Sequence, residues 1–225
     1  MCGRYVVPSE AEIQRLWHIG GRSGPNSFPG LFNAAPTRVL PVIRARPHCG
    51  RQIALLRWGL IPSWAKDPRI GEQAINAPEE TLIERSTFRD AFKHRRCLVP
   101  MAGFYEWQAT PTGKVPYYVH LLRVEQFGVA GLYECWPGAG GAQPIESFTI
   151  ITTKANGLVA EIHDRMPAII AERVQETWLD LNNENTDELC QLLKPYPPDE
   201  MHAYRISSRV NSANNDGPGL LLPLD

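Results

Sequence analysis

The sequence has no apolar run long enough to cross a membrane. Its hydrophobic stretches are short and broken by charge or proline, whereas a spanning helix needs about 20 apolar residues. No basic segment followed by an apolar run opens the chain, so no secretory signal is expected. The cysteines, Cys2, Cys49, Cys97, Cys135 and Cys190, are odd in number and form no CxxC pair. That spacing argues against a disulfide framework and against a structural zinc site, and no metal or other cofactor is expected. Repeats, heptads and low-complexity tracts are absent. An excess of either charge is missing too: 23 Lys+Arg stand against 24 Asp+Glu, a net charge of -1. A protein that coats nucleic acid by charge alone would be strongly basic. The expected location is cytoplasmic, nucleoid-associated in a bacterium or nuclear in a eukaryote, with no membrane partner.

What remains is an ordinary globular composition, 43% hydrophobic and 21% charged over 225 residues, and one domain covering 1–225 is the simplest reading. Residues 2–7 read as a strand. Ser9 then caps an amphipathic helix carrying Ile13, Leu16 and Trp17. Residues 20–36, rich in Gly, Pro and Asn, read as a long loop. Strands are expected near 39–45, 52–61, 97–108, 116–122, 127–134, 147–153 and 202–207. Helices are expected from Pro78 onward, with Ser86 capping the second half, and near 171–181 and 186–194. The tail from SSRVNSANNDGPG reads as irregular but pinned. Strands predominate without βαβ alternation, which points to an α+β fold: a mainly antiparallel, barrel-like β-sheet with peripheral helices.

Charge is uneven along the chain. Arg85, Arg89, Lys93, Arg95 and Arg96 crowd one helical stretch, and Glu172, Glu176, Asp180, Glu184, Asp187 and Glu188 make a later region acidic. A local basic face permits binding of a short nucleic-acid segment. Cys97, Cys135 and Cys190 sit in apolar or amphipathic runs, where a buried thiol is expected.

Cys2 is set apart by its position. Loss of Met1 would leave a free 1,2-aminothiol, whose amine forms an imine with an aldehyde while the sulfur closes a five-membered thiazolidine. An α-amine with pKa near ~7.8 is roughly 14% neutral at pH 7, against about 0.04% for a lysine near ~10.4. Ring closure is intramolecular, where effective molarities of about 10⁵ M or more are known. While Met1 stays attached, the nitrogen of Cys2 is a peptide nitrogen and this chemistry is closed. Cysteine at position two is by itself usually incidental.

Four further blocks carry polar residues where a core would want none. AINAP places Asn76 after an apolar pair, and GFYEWQ sets Glu106 between Tyr105 and Trp107. EIHDRMP aligns His163, Asp164 and Arg165, and RVNSANND is amide-rich beside Arg209. Strand alternation puts Glu106 on the face opposite Tyr105 and Trp107. It is then either a surface residue on an edge strand, the commoner case, or a carboxyl group with raised pKa. His163 likewise is either a helix-end histidine paired with Asp164 or a proton-transfer group. Trp58 reads as core, and Trp64, in a polar turn after Pro62, as a candidate for stacking on exposed bases.

The blocks MCGRY, FNAAPT, RWGLIPSWAKD, INAPEET, RRCLVPMAGFYEW, IITTKAN and IHDRMPAII, in this order, resemble the SRAP (SOS response-associated peptidase) family, whose members shield abasic sites in single-stranded DNA. The resemblance covers essentially the whole chain. It implies that Cys2 crosslinks to the ring-opened abasic sugar after self-removal of Met1, and that Asn76 holds the cysteine and the sugar. It implies that Glu106 moves protons and that His163 helps open the sugar ring. Arg4 and Arg165 resemble phosphate ligands and Trp64 an aromatic wedge. Where the family commonly carries an arginine this chain has Pro78, so that phosphate contact is either lost or supplied by Arg85 or Arg89 nearby. The implied partner is single-stranded DNA with abasic sites, and a monomer is expected to bind it. An amine that forms an imine with an abasic sugar also promotes strand cleavage by β-elimination, so weak lyase activity is expected as a side reaction. Two rival functions stand beside this one. The first is a thiol peptidase acting in trans with Cys2, His163 and Asn76. The second is a module that binds single strands without covalent chemistry.

Overall fold

The computed structural model describes residues 2–20, 28–46, 50–138, 140 and 143–224. Met1 and Cys49 lie outside the described residues. β1 (Arg4–Val7) leads into α1 (Glu10–Trp17), whose start is fixed by a reciprocal cap: Ser9 Oγ accepts from the Glu12 amide, and Glu12 Oε2 accepts from the Ser9 amide. His18 closes the helix in the left-handed conformation at φ 50°. There follow β2 (Leu31–Ala34), β3 (Val39–Arg46), β4 (Gly50–Trp58), β5 (Asn76–Pro78), α2 (Arg89–His94) and β6 (Arg96–Met101). Next come β7 (Gly103–Thr110), β8 (Gly113–Leu121), β9 (Phe127–Trp136), β10 (Ile145–Lys154), β11 (Arg165–Pro167) and β12 (Ile169–Ile170). α3 (Gln175–Leu179), α4 (Thr186–Gln191) and β13 (Met201–Arg205) complete the order.

Five strands close a ring. β4 pairs antiparallel with β3, β3 with β6, β6 with β9 and β9 with β10, and β10 returns to β4 through a short parallel ladder at Ser147↔Arg57 and Phe148↔Trp58. The second sheet has the order β13-β8-β7-β1-β2 and is antiparallel throughout. The architecture is thus the expected α+β fold with a barrel-like sheet and few helices. One apolar cluster joins the two sheets, with Tyr5, Phe104 and Val119 from the second sheet packed among Trp58, Val99, Val129 and Ile150 of the ring. The opposite face of the second sheet, bearing Tyr105 and Tyr118, is covered by Ile206 and Val210 of the tail. No helix among the described residues is long and apolar enough to cross a membrane.

Several local expectations are corrected. The segment from Pro78 is not the start of a helix: Asn76–Pro78 is a strand parallel to β10, followed by a single 3-10 turn at Glu79–Thr81. A residue before proline is pushed into extended backbone, and here that conformation is used for pairing. Ser86 caps nothing, because α2 begins at Arg89 with no side-chain cap. Residues 97–108 are two strands in different sheets, turning between Met101 and Gly103. The expected loop 20–36 contains β2, and residues 171–181 form a 3-10 turn and then α3. Cys97 is buried as expected, but Cys135 is exposed and Cys190 half-buried. The basic stretch is not one face: Arg95 pairs with Glu134 at 2.8 Å, and Arg96 is fully buried.

Candidate active site

Cys2 lies just ahead of β1 and is completely buried. The β1–β7 register, Arg4↔Tyr105 and Tyr5↔Phe104, carries the amino-terminal end of β1 toward Glu106. Phe104 belongs to the cluster between the sheets and Tyr105 to the opposite face, so alternation places Glu106 on the inner side. It is 1% exposed. The surface alternative is therefore wrong. Burial pushes its carboxyl up to about 7, because a charged oxygen loses its hydration there. Burial, with the Glu106 carboxylate adding to it, holds the Cys2 thiol far above its ordinary value.

Asn76 donates from Nδ2 to the Cys2 carbonyl at 3.0 Å, and its Oδ1 is buried with no partner among the described residues. Its position is over-determined by the neighbouring blocks. Trp58, fully buried as expected and stacked on Phe148 at 6.3 Å, donates from Nε1 to the Ile75 carbonyl at 2.9 Å. The Ile150 amide donates to the same carbonyl. Three of the distinctive sequence blocks thus meet at one peptide group.

The third element is the loop between β10 and β11, which pair as a hairpin with Lys154 opposite Arg165. Asn156 organises it: Oδ1 accepts from the Val159 amide at 2.9 Å and Nδ2 donates to the Tyr196 carbonyl at 2.7 Å. The resulting 3-10 turn returns the His163 amide to the Val159 carbonyl. Gln108, on the same strand as Glu106, donates to the Glu161 carbonyl at 2.8 Å and ties the loop to β7. His163 Nδ1 lies 3.0 Å from the Arg165 amide and 2.9 Å from Asp164 Oδ1. One nitrogen cannot accept from the amide and donate to the carboxylate together. Burial lowers the His163 pKa, and the Asp164 side chain is 86% exposed and solvent-screened. The neutral ring accepting from the amide therefore prevails, which leaves the ring proton on Nε2.

Cys2, Asn76, Glu106 and His163 thus come from four separated blocks onto adjoining elements. The remaining expected residues fall around them differently. Arg165 is largely buried and held two-pronged by Glu80, at 2.5 and 3.0 Å, and by the Thr152 carbonyl at 2.7 Å. Arg4 is a clamp within the chain: its guanidinium donates to Asn33 Oδ1, the Val210 carbonyl and the Asn211 carbonyl. Trp64 is 56% exposed on a turn fixed by Ala65, whose amide donates to Pro62 and whose carbonyl accepts from Trp136 Nε1. Arg85 and Arg89 are exposed. Sequence reading left Glu80, Asn33 and Gln108 unassigned. Glu80 lies inside INAPEET and Asn33 inside FNAAPT, so their blocks were visible although their roles were not.

Comparison with known proteins gives the family and the fold. The family model described as SOS response associated peptidase (SRAP) matches residues 1–213. The chain is 41% identical over 224 residues to the abasic site processing protein YoqW of Bacillus subtilis (strain 168), covering 98% of this chain and 99% of that one. It is 31% identical over 265 residues to the abasic site processing protein HMCES of Gallus gallus, covering 100% of this chain and 78% of the relative. A crystal structure of a protein from Bacteroides thetaiotaomicron is similar at a TM-score of 0.78 and 29% identity, over 86% of this chain and 85% of that one.

Proposed function

The chain belongs to the SOS response associated peptidase family, and from that premise we propose that it processes abasic sites in single-stranded DNA by bonding Cys2 covalently to the sugar. In this reading Met1 is first released by hydrolysis of the Met1–Cys2 peptide bond, with Glu106 moving the proton. The freed α-amine attacks the aldehyde carbon of the ring-opened sugar, and loss of water gives an imine. The Cys2 sulfur then adds to that carbon, its proton passing to the Glu106 carboxylate and onward to the nitrogen. The product is a thiazolidine, and one water is released for each crosslink. Neutral His163 serves the earlier step, moving the proton that converts the closed hemiacetal to the aldehyde.

The observation that carries the proposal is the pairing of a buried Cys2, held by Asn76 through its carbonyl, with a buried glutamate whose carboxyl burial pushes up to about 7. A carboxyl group with that pKa is both acid and base at pH 7. The same observation disfavours a thiol peptidase acting in trans. Such an enzyme needs a thiolate, stabilised by a neighbouring positive charge, whereas burial and Glu106 push the Cys2 thiol the other way. Trp64 stacks on a base beside the lesion, and exposed Arg85 and Arg89 meet phosphates in place of the arginine that Pro78 replaces. The protein acts as a monomer of one domain, with strand cleavage by β-elimination a slow competitor of ring closure.

The test is the intact mass of the purified protein, alone and after mixing with a single-stranded oligonucleotide bearing one abasic site. The expected result is loss of Met1 and a denaturation-resistant species of summed mass less water, abolished by Cys2→Ala and retained by Cys97→Ala. An unchanged yield with Cys2→Ala overturns the proposal.

A further inference from the structure

Arg165 stands two residues beyond His163, and Glu80 four beyond Asn76. Their ion pair therefore bridges the two segments that flank Cys2. Its geometry is two-pronged: Nη1 meets Oε1 at 2.5 Å and Nη2 meets Oε2 at 3.0 Å. The second hydrogen of Nη2 goes to the Thr152 carbonyl at 2.7 Å. A guanidinium has two edges able to grip two oxygens at once, the Nη1–Nη2 end and the Nε–Nη2 side. Glu80 fills the first, and Thr152 takes the Nη2 donor of the second. The two hydrogens left, on Nε and on the outer side of Nη1, point apart and cannot clamp one anion.

The fork that fits a carboxylate also fits a phosphate. We propose that Glu80 is a built-in phosphate stand-in, occupying the Arg165 fork in the empty protein and yielding it to a backbone phosphate when single-stranded DNA seats over Cys2. This deepens the function proposed above and rests on it. Two features of the structure favour exchange over a permanent strut. The Glu80 side chain is nearly half exposed while that of Arg165 is largely buried, so the carboxylate can swing to water while Thr152 keeps the guanidinium aimed. Glu80 also sits on a single 3-10 turn that has no side-chain cap, a short element whose rearrangement breaks few backbone bonds. Screening of the exposed carboxylate keeps the pair weak enough to break.

The consequence is a penalty on binding that removal of the carboxylate relieves. Each phosphate neutralised on a single strand steepens the slope of log affinity against log salt by about 0.7. In the native protein a cation taken up by the displaced Glu80 offsets part of that release. Glu80→Gln removes the offset and leaves at most one acceptor oxygen on the fork, with no charge to hold it. Binding of a fluorescein-labelled, undamaged single-stranded oligonucleotide, which has no aldehyde and so binds reversibly, is to be followed from 0.05 to 0.3 M salt. Glu80→Gln should bind about two- to fivefold more tightly at low salt, with a steeper salt slope, and should crosslink abasic DNA faster at limiting protein. Arg165→Gln should bind more weakly with a shallower slope. Glu84→Gln, which removes an exposed charge from the same segment, is the control for general electrostatics. The inference is overturned if Glu80→Gln binds no more tightly than native protein, or if Glu84→Gln tightens binding equally. Native protein that crosslinks abasic DNA normally while Glu80→Gln changes nothing sinks the exchange alone. Native protein with no crosslink at all sinks the function beneath it.

Discussion

Burial on the inner face of β7 lifts Glu106 from the ordinary value of 4.5 to about 7, so its protonated and ionised forms both exist near neutral pH. The same burial costs stability once the carboxyl must ionise. Between pH 4.5 and about 7 the folded protein keeps a proton that the unfolded chain has already released. The associated stability is present at low pH and is lost as pH rises through about 7. At 1.36 kcal/mol per pH unit, the full loss is about 3 kcal/mol. Glu106→Gln keeps the shape and cannot ionise, so its Tm should exceed that of the native protein by several degrees at pH 8, with little difference at pH 4.5. Crosslinking by the same variant should slow by about a hundredfold or more. Thermal melts at the two pH values decide the point. An equal difference at both would mean that Glu106 does not titrate as its burial requires. From the residues alone this carboxyl was undecidable, because alternation between Tyr105 and Trp107 fixes which face it takes but not what covers that face.

Elements explain why some segments were readable and others misleading. α1 announces itself, since Ser9 and Glu12 form a reciprocal cap and Ile13 and Trp17 share its buried side. The segment RRCLVPMAGFYEW hides a change of sheet: apolar content runs through it unbroken, and only Ala102 and Gly103 mark the turn. A Cβ at Gly103 would lie 2.4 Å from the Tyr118 ring, so the glycine records a close approach that spacing cannot reveal. Pro78 misled because proline suits a first helical turn, yet β10 offered its neighbours a ladder. The loop of Asn156 and His163 is the element on which the proposed chemistry leans. Asn156→Ala leaves the Val159 amide and the Tyr196 carbonyl without their partners, at about 1–3 kcal/mol for each group that stays buried. The expected outcome is a Tm lower by several degrees, about 2–4 °C for each kcal/mol in a chain of this size. Crosslinking measured well below that Tm should also slow, since His163 hangs from the same turn. A variant destabilised to that extent but crosslinking at the native rate would show that the loop does not set the position of His163.

At the scale of the whole molecule, the tail and the buried charges hold the two sheets and the site in one arrangement. Arg96, counted in sequence among surface cations, spends all five N–H groups on carbonyls of Trp178, Phe92, Lys93, Asp180 and Asn183. It therefore fastens the α3 region to β6 rather than offering charge to DNA. Such a role depends on chain segments more than 80 residues apart, which no local pattern encodes. Asn33 does the corresponding work on the other side. Buried at the end of β2, it accepts from Arg4 and donates to the carbonyls of Val210, Ser212 and Asn215. Arg4 adds the Val210 and Asn211 carbonyls, and Trp107 Nε1 reaches Asn211 Oδ1. The pinned tail expected from its amide-rich sequence is thus held by residues that also neighbour Cys2 and Glu106 along β1 and β7. Asn33→Ala should release the tail before it unfolds the core. Proteolysis should then cut within 207–217 at protein concentrations and temperatures where the native chain is resistant, while far-UV circular dichroism stays native. Because Arg4 would lose its amide partner, crosslinking should weaken in step with that cutting, although no hydrogen bond among the described residues joins Asn33 to Cys2. Cleavage at the native rate in Asn33→Ala would mean that the apolar contacts of Ile206 and Val210 suffice to hold the tail, and that the hydrogen bonds of Asn33 only select its register.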